Sequence, residues 1–410
     1  MAAQENTQRP PTPTILKDAY TISASSDLTI SVQGPKVDKG HRPIVRFQVE
    51  KIAVTSFSQY FENSLRFNTK FGHEVVLKDD DAGAMRVWLI YMHAAAMYAA
   101  KRPQGEIQNE TVNEKPKKIG AEDEESLFNS PGVADTDITR IWHIINAGDK
   151  YLFDVSLLCG FFKKWYAKHV NLANGDADLL RQLAFPCYMF DHAQGFSAVT
   201  KWLAYNFEGH ITEKRPIGIK FKHMHLAPPD FVGPMNPARG SLKTVLHRGI
   251  WDKAGEVLKK GDKNCHCGKW ASVCGRYFAE LVKIDAYPLE KVFPRNSINE
   301  ILSRLGDFEL GSIGNCRTCS VDWDTCIVRA IDNTTASFDG LCIDCMETSR
   351  PKRDGDVDYW KKLGSDYDGR FDGQCRIHHG EKTWYISWCG RDEHRRKLMN
   401  DHFERRSRFI

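Results

Sequence analysis

The chain lacks any run of roughly 18 or more apolar residues, the length a membrane-crossing helix needs. Its start, Met1 to Pro13, is polar and proline-rich and has no apolar core of the kind a secretory signal requires. These two absences predict an intracellular protein, cytoplasmic or nuclear. Charge of one sign is also scarce: a net +4 over 410 residues gives no global field toward nucleic acid or membrane. Phosphate-cradling Walker loops, dinucleotide glycine fingerprints, Gly-x-Ser-x-Gly elbows and His-Glu-x-x-His helices are missing, which excludes the commonest motif-bearing enzyme classes. Asp354, Asp356 and Asp358 alternate as in a calcium loop, but the glycine and closing glutamate of an EF-hand are absent, so they read as a solvated acidic loop. No repeat of 20–50 residues is visible. The expectation is a protein without catalytic residues.

Cysteine is present and unevenly placed. Cys159 and Cys187 stand alone in apolar surroundings, and the other ten of the twelve fall between Cys265 and Cys389, several in close pairs. In a reducing compartment such clusters read as metal ligands rather than disulfides.

Along the chain, residues 1–24 read as a disordered N-terminus. Leu28, Ile30 and Val32 alternate with polar residues as a half-buried strand does, and Phe47 and Val49 predict a second strand. A helix through Ser58, Phe61 and Leu65 follows, with Ser58 as its N-cap, then a short strand at Glu74 to Leu77. Met85, Trp88, Leu89 and Met92 form an amphipathic stripe. The polar, charged stretch at about 100–135 reads as a mobile insertion. Helices resume at Ile138, Ile141, Trp142 and Ile145, capped by Asp137, and again at Leu158 to His169.

Residues 171–262 read as helical. Phe196, Val199, Leu203 and Phe207 line one face, and Asp191 or His192 stands near its start. Pro228, Pro229, Pro234 and Pro237 punctuate the region before a later helix or helix pair at Leu242 to Leu258. Residues 263–410 form a cysteine-rich region. It holds a helix at Ile298 to Leu305, a strand at Thr383 to Trp388 and a basic tail from Asp392 to Arg408. The fold class expected is α+β: a small sheet with helices, a helical middle and a zinc-stapled end.

The order of elements over residues 25–170 resembles the BTB/POZ fold. Asp27-Leu28-Thr29-Ile30 resembles that family's opening strand. Phe47, Lys51, Val54, Ser58, Phe61 and Leu65 match its strand-to-helix spacing. Glu74 to Leu77 followed by Asp79-Asp80-Asp81, and Ala147-Gly148-Asp149-Lys150-Tyr151, are similar to its later signatures. The whole chain is similar to fungal BTB proteins with a helical, cysteine-rich C-terminal region, through Phe185-Pro186-Cys187, Asn236-Pro237-Ala238-Arg239-Gly240, Phe338-Asp339-Gly340-Leu341-Cys342 and His379-Gly380 with Thr383-Trp384-Tyr385. The resemblance implies a homodimerising adaptor that binds protein partners. Glu50 stands where the family often has His. His73, in Phe71-Gly72-His73, stands where cullin-recruiting members carry Glu, which weakens the case for cullin binding.

Zinc takes four tetrahedral S or N ligands, and close Cys pairs on tight turns supply two each. Cys342 and Cys345 make one pair. Cys375 with His378 or His379 makes the other, and the Cys375–His379 spacing leaves room for a turn and suits the resemblance. A second site pairs Cys265 and Cys267 with Cys316 and Cys319, with Cys274, Cys326 and His266 as substitutes. Full Cys/His sets point to closed, structural metal. Cys187 near His192 is also writable as nucleophile and base, but a core pair fits better. The leading function is an interaction scaffold. Against it stand a transcription-linked nucleic-acid binder and a metalloenzyme. The binder reading is opposed by the lack of a Cys-Cys-His-His finger, and basic residues do not concentrate near the cysteines.

Overall fold

In the computed structural model the described residues are 19–35, 42–67, 73–101, 129, 133, 135–226, 231–314, 316–348 and 375–379. The chain divides into two compact units, Met1–Trp165 and Tyr166–Ile410.

The first unit is built on a four-stranded sheet of order β1-β3-β2-β4. The strands are β1 (Ala19–Thr21), β2 (Leu28–Gln33), β3 (Ile44–Val49) and β4 (Glu74–Lys78). β2 and β3 run antiparallel with Ile30 opposite Phe47; β1 runs parallel to β3, and β4 parallel to β2. Alternation sends Leu28, Ile30, Val32, Val45, Phe47, Val49, Val75 and Leu77 into one core. The β1 strand corrects the expectation of disorder up to residue 24; Ile22 also donates its N–H to the Gln48 carbonyl at 2.9 Å.

α3 (Ala82–Lys101) packs on β2 and β3, and the other helices here are α1 (Lys51–Phe57), α2 (Gln59–Phe67), α4 (Ile138–Tyr151) and α5 (Cys159–His169), the last following a 3-10 turn at Val155–Leu158. The helix expected through Phe61 and Leu65, with Ser58 as its N-cap, is α2, and α1 precedes it. Ser58 ends α1 and caps α2, accepting the Phe61 N–H at 3.1 Å. Asp137 caps α4 as its position predicts, accepting the Arg140 N–H at 2.7 Å. The Met85, Trp88, Leu89 and Met92 stripe is buried.

Most of the expected insertion lies outside the described residues, but its edges are corrected. α3 continues to Lys101, and Val133 is fully buried. The motif Lys150-Tyr151 has a plain physical role. Both side chains converge on the buried Asp80 carboxylate, Lys150 Nζ at 2.8 Å and Tyr151 Oη at 2.5 Å, and burial with that hydrogen bond pushes the Tyr151 phenol well up.

The second unit is helical: α6 (Ala177–Met189), α7 (Ala193–Asn206), α8 (Val232–Asn264), α9 (Trp270–Lys283), α10 (Leu289–Val292), α11 (Ile298–Gly306), α12 (Trp323–Thr335) and α13 (Ile343–Thr348). A two-residue hairpin pairs β5 (Ser312–Ile313) with β6 (Val321–Asp322). Of the Asp191 and His192 candidates, His192 caps α7, its Nδ1 accepting the Gly195 N–H at 2.9 Å.

α8 is one continuous helix, the first of the two expected alternatives, helix or helix pair. Pro234 lies in its first turn, where the missing N–H has no intrahelical partner to lose, and Pro237 lies just beyond. Leu242, Leu246, Ile250, Ala254 and Val257 make its buried stripe. α12 crosses it closely, with Ala330 against Gly249, and Trp323 of α12 stacks on Tyr277 of α9 at 4.2 Å. The expected boundary between residues 262 and 263 therefore falls inside the last turn of α8, and elements from both sides of it share one core.

Candidate metal centres

Two groups of four ligand atoms gather in the second unit, each with all its atoms within 4.8 Å of one another. They comprise the eight residues that the pair spacing selects: Cys265, Cys267, Cys316 and Cys319 in one, and Cys342, Cys345, Cys375 and His379 in the other.

The first centre joins a helix end to a hairpin. Cys265 is the residue at which α8 stops, its N–H still bonded to the Gly261 carbonyl at 2.9 Å, and Cys267 follows on the next turn. Cys316 and Cys319 lie on the loop between β5 and β6, closed by Cys319 and Ser320 N–H groups donating to the Cys316 carbonyl at 3.1 and 2.8 Å. Thr318 Oγ1 ties the two turns together by donating to the Asn264 carbonyl at 2.8 Å.

The sulfurs are 3.4 Å (265–267), 3.6 Å (265–316), 3.6 Å (267–316), 3.2 Å (267–319) and 3.5 Å (316–319) apart. Disulfide sulfurs sit at about 2.05 Å. A tetrahedron with Zn–S of about 2.3 Å places sulfurs about 3.8 Å apart. The observed spacing belongs to the second geometry. Backbone N–H groups of Cys319 and Thr318 hold the Cys316 thiol down to about 5, so this ligand is poised as thiolate.

The second centre is more deeply set. Cys342, Cys345 and His379 are buried, and Cys375 is half-buried. Cys345 Sγ lies 3.5 Å from Cys375 Sγ and 3.3 Å from His379 Nε2. Cys342 and Cys345 flank the start of α13, where Met346 donates its N–H to the Cys342 carbonyl at 3.0 Å. The loop that delivers them is docked on α7: Ser197 Oγ donates to the Asp339 carbonyl at 2.7 Å, and Thr200 Oγ1 accepts the Leu341 N–H at 2.8 Å.

The Cys345 thiol, and behind it the Cys345 N–H, hold Cys342 down to about 6 against its burial. That same contact pushes Cys345 up, and burial raises Cys375 to about 11. Like charges this close resist joint ionisation. A divalent cation among them removes the conflict, which is the chemistry expected of a soft sulfur and nitrogen metal site.

His378 is exposed and outside the cluster, so His379 is the gathered histidine. His266, Cys274 and Cys326 also stay outside. Cys274 and Cys326 are raised by burial, and Cys274 points its thiol to the Ala254 carbonyl at 4.0 Å. The Cys187–His192 pair is core: burial pushes the thiol up, and the imidazole Nδ1 is taken by its helix cap. Exposed Lys259, Lys260, Lys263 and Arg317 flank the cysteines of the first centre in the sequence. Cys389, Asp354, Asp356, Asp358, the Thr383–Trp388 strand and the basic tail lie outside the described residues.

Arg376, Asp191 and Asp344 form an ion cluster beside the second centre that the sequence does not reveal. Its guanidinium donates to Asp344 Oδ1 from Nε at 2.9 Å and from Nη2 at 2.7 Å, and to Asp191 from Nη1 and Nη2 at 2.7 Å each. A pair separated by 185 residues leaves no local signal.

Among the described residues no helix is long and apolar enough to cross a membrane. No protein-family model matches this chain, and no curated protein or solved structure is significantly similar to it.

Proposed function

We propose that the protein is a non-catalytic interaction scaffold: a BTB/POZ-type module for self-association and partner capture, followed by a helical platform held by two structural zinc ions. The observation that carries the zinc half is the pair of closed four-ligand sets at metal spacing. Four protein ligands fill a tetrahedron and leave no open position for water or substrate, unlike catalytic zinc. The BTB half is supported by the order of β2, β3, two helices, β4 and α3, and by the convergence of Lys150 and Tyr151 on Asp80.

Elemental analysis of the full chain should find two zinc ions per chain, and one in Cys342→Ser, with the Cys159→Ser control unchanged. Sedimentation of the same samples should show a dimer at micromolar concentration. Equal metal content in all three proteins would sink the zinc assignment, and a monomer at tens of micromolar would sink self-association.

A second reading, binding to nucleic acid, is favoured by the exposed Lys259, Lys260, Lys263 and Arg317 beside the first centre. Much of that charge is already answered. Four thiolates on one zinc carry a net charge of −2, and the carbonyl end of α8 adds about half a negative charge. Binding to duplex DNA that weakens steeply with salt would move this reading ahead.

A further inference from the structure

The residues 375–379 supply two ligands to the second centre yet belong to no helix or strand. Ile377 is buried, and the Arg376 side chain ties the segment to two carboxylates. Arg376 sits next to the ligand Cys375 and reaches Asp344, which lies between the ligands Cys342 and Cys345. Its backbone N–H also bonds Asp344 Oδ2 at 2.8 Å. The other edge of the guanidinium forks onto Asp191, in the turn between α6 and α7, and the Arg376 carbonyl accepts from Gln194 Nε2 at 3.4 Å.

We propose that Arg376 is the positioning residue that sets how tightly the second centre retains its metal, by locking the two ligand pairs to each other and to the α6–α7 turn. This rests on the metal reading of the cluster and adds the group that governs it.

Three observations point the same way. The Asp191 contact is two-pronged, one N–H on each oxygen, the geometry in which a guanidinium is held in register rather than merely attracted. At Asp344, Nε and Nη2 meet on Oδ1 and the backbone N–H takes Oδ2. Asp191 has a positive φ of +55°, uncommon for a non-glycine residue. That conformation is sustained by surroundings that include this fork. The Arg376 side chain is 40% exposed, so an ordinary surface pair there would contribute little. A fork shared by two carboxylates is the exception, and it places its effect on ligand geometry rather than on the bulk core. Partners that orient metal ligands typically change affinity by about 10–100-fold when removed.

The test uses the full chain loaded with zinc. Release to a chromogenic chelator should show two phases, one per centre, assigned with Cys316→Ser and Cys342→Ser. In Arg376→Gln the phase of the second centre should quicken by about 10–100-fold while that of the first stays unchanged. Asp191→Asn, nearly isosteric, should shift the same phase in the same direction. Arg376→Lys, which keeps charge but loses the fork, should recover only part of the loss. Cobalt substitution adds a readout that simple destabilisation leaves alone. The ligand-field bands of the second centre, with three sulfurs and one nitrogen, should shift in Arg376→Gln, and those of the all-sulfur first centre should not.

Unchanged release in both Arg376→Gln and Asp191→Asn overturns the proposal, as does equal acceleration of both phases. A wild-type chain that binds no metal would instead overturn the zinc reading itself, so the two failures are distinct.

Discussion

His93 shows how one buried side chain makes a fold sensitive to acid. Its Nδ1 lies 2.7 Å from the Leu89 carbonyl, and its Nε2 lies 2.8 Å from the Glu50 N–H at the start of α1. A carbonyl only accepts and an amide N–H only donates, so the ring must be neutral, protonated at Nδ1. Burial lowers its proton affinity below the ordinary value. The unfolded chain takes up the proton near pH 6.5, and the folded chain resists. Stability from this group is therefore complete above about pH 6.5 and is lost as pH falls from there toward the lower folded value. Hydrogen exchange at α1 in the intact chain, corrected for intrinsic rates, should lose protection between about pH 7 and 5.5. His93→Gln, which can still accept from Glu50 but cannot titrate, should be flat. Parallel losses in both proteins would refute the role. A readout confined to α1 also keeps acid loss of metal from the second unit out of the result.

The same scale explains what can be read from the residues alone. Ser58, Asp137 and the Cys pairs act on neighbours a few positions away, so spacing exposes them. His93 with Glu50, Lys150 with Asp80, and Arg376 with Asp191 act across 43, 70 and 185 positions, and only the folded chain brings them together.

At the scale of elements, two glycines shape the ligand loops. Gly314, at φ +113°, precedes Cys316; a Cβ there would lie 2.2 Å from the Cys319 carbonyl oxygen. Gly340, at φ +92°, precedes Cys342; a Cβ there would lie 2.1 Å from the Ser197 carbonyl oxygen on α7. Neither contact is tolerable and neither φ suits an L side chain, so each Gly→Ala change should cost about 2 kcal/mol or more locally. Gly314→Ala should lower zinc occupancy at the first centre alone, and Gly340→Ala at the second alone, as read by native mass spectrometry. Matching losses at both centres in either variant would show general unfolding instead.

Helices α9 and α12 escape a reading of the sequence, though their signal is present. Val273, Cys274, Tyr277 and Leu281 make a helical stripe once Cys274 is counted as apolar rather than as a metal ligand. The prolines leave open whether the α8 region is one helix or two; Pro234 sits in the first turn, where it removes no intrahelical bond, and the helix carries Pro237 inside it.

For the whole molecule, the expected insertion is the most direct test of where the first unit ends and its decoration begins. Deleting residues 103–132 should leave the thermal midpoint within about 2 °C, a change of about 1 kcal/mol or less at this size. Extending the deletion through Thr136 should cost several degrees. It removes Val133, which is fully buried, and the Thr136 carbonyl that accepts the Trp165 indole N–H at 2.5 Å. Differential scanning calorimetry of both variants checks this, and a large loss in the shorter deletion would show that the segment packs. The sheet and helices of the first unit follow from strands and stripes visible in the sequence. The merging of residues 171–262 with the cysteine-rich region is not visible there, because the α8–α12 contact depends on Gly249 and Ala330, two small residues with no hydrophobic pattern of their own.

The first centre spans a large gap in the chain: Cys267 and Cys316 are 49 positions apart, while Cys345 and Cys375 are 30 apart. During synthesis, at about 5–20 residues per second, the α8 thiols emerge roughly 3–10 s before their partners. On the proposed zinc reading, the first half-site waits for its partners over that interval. The first ligand set is complete in the chain before the second, so synthesis itself gives the two centres an order in which to load.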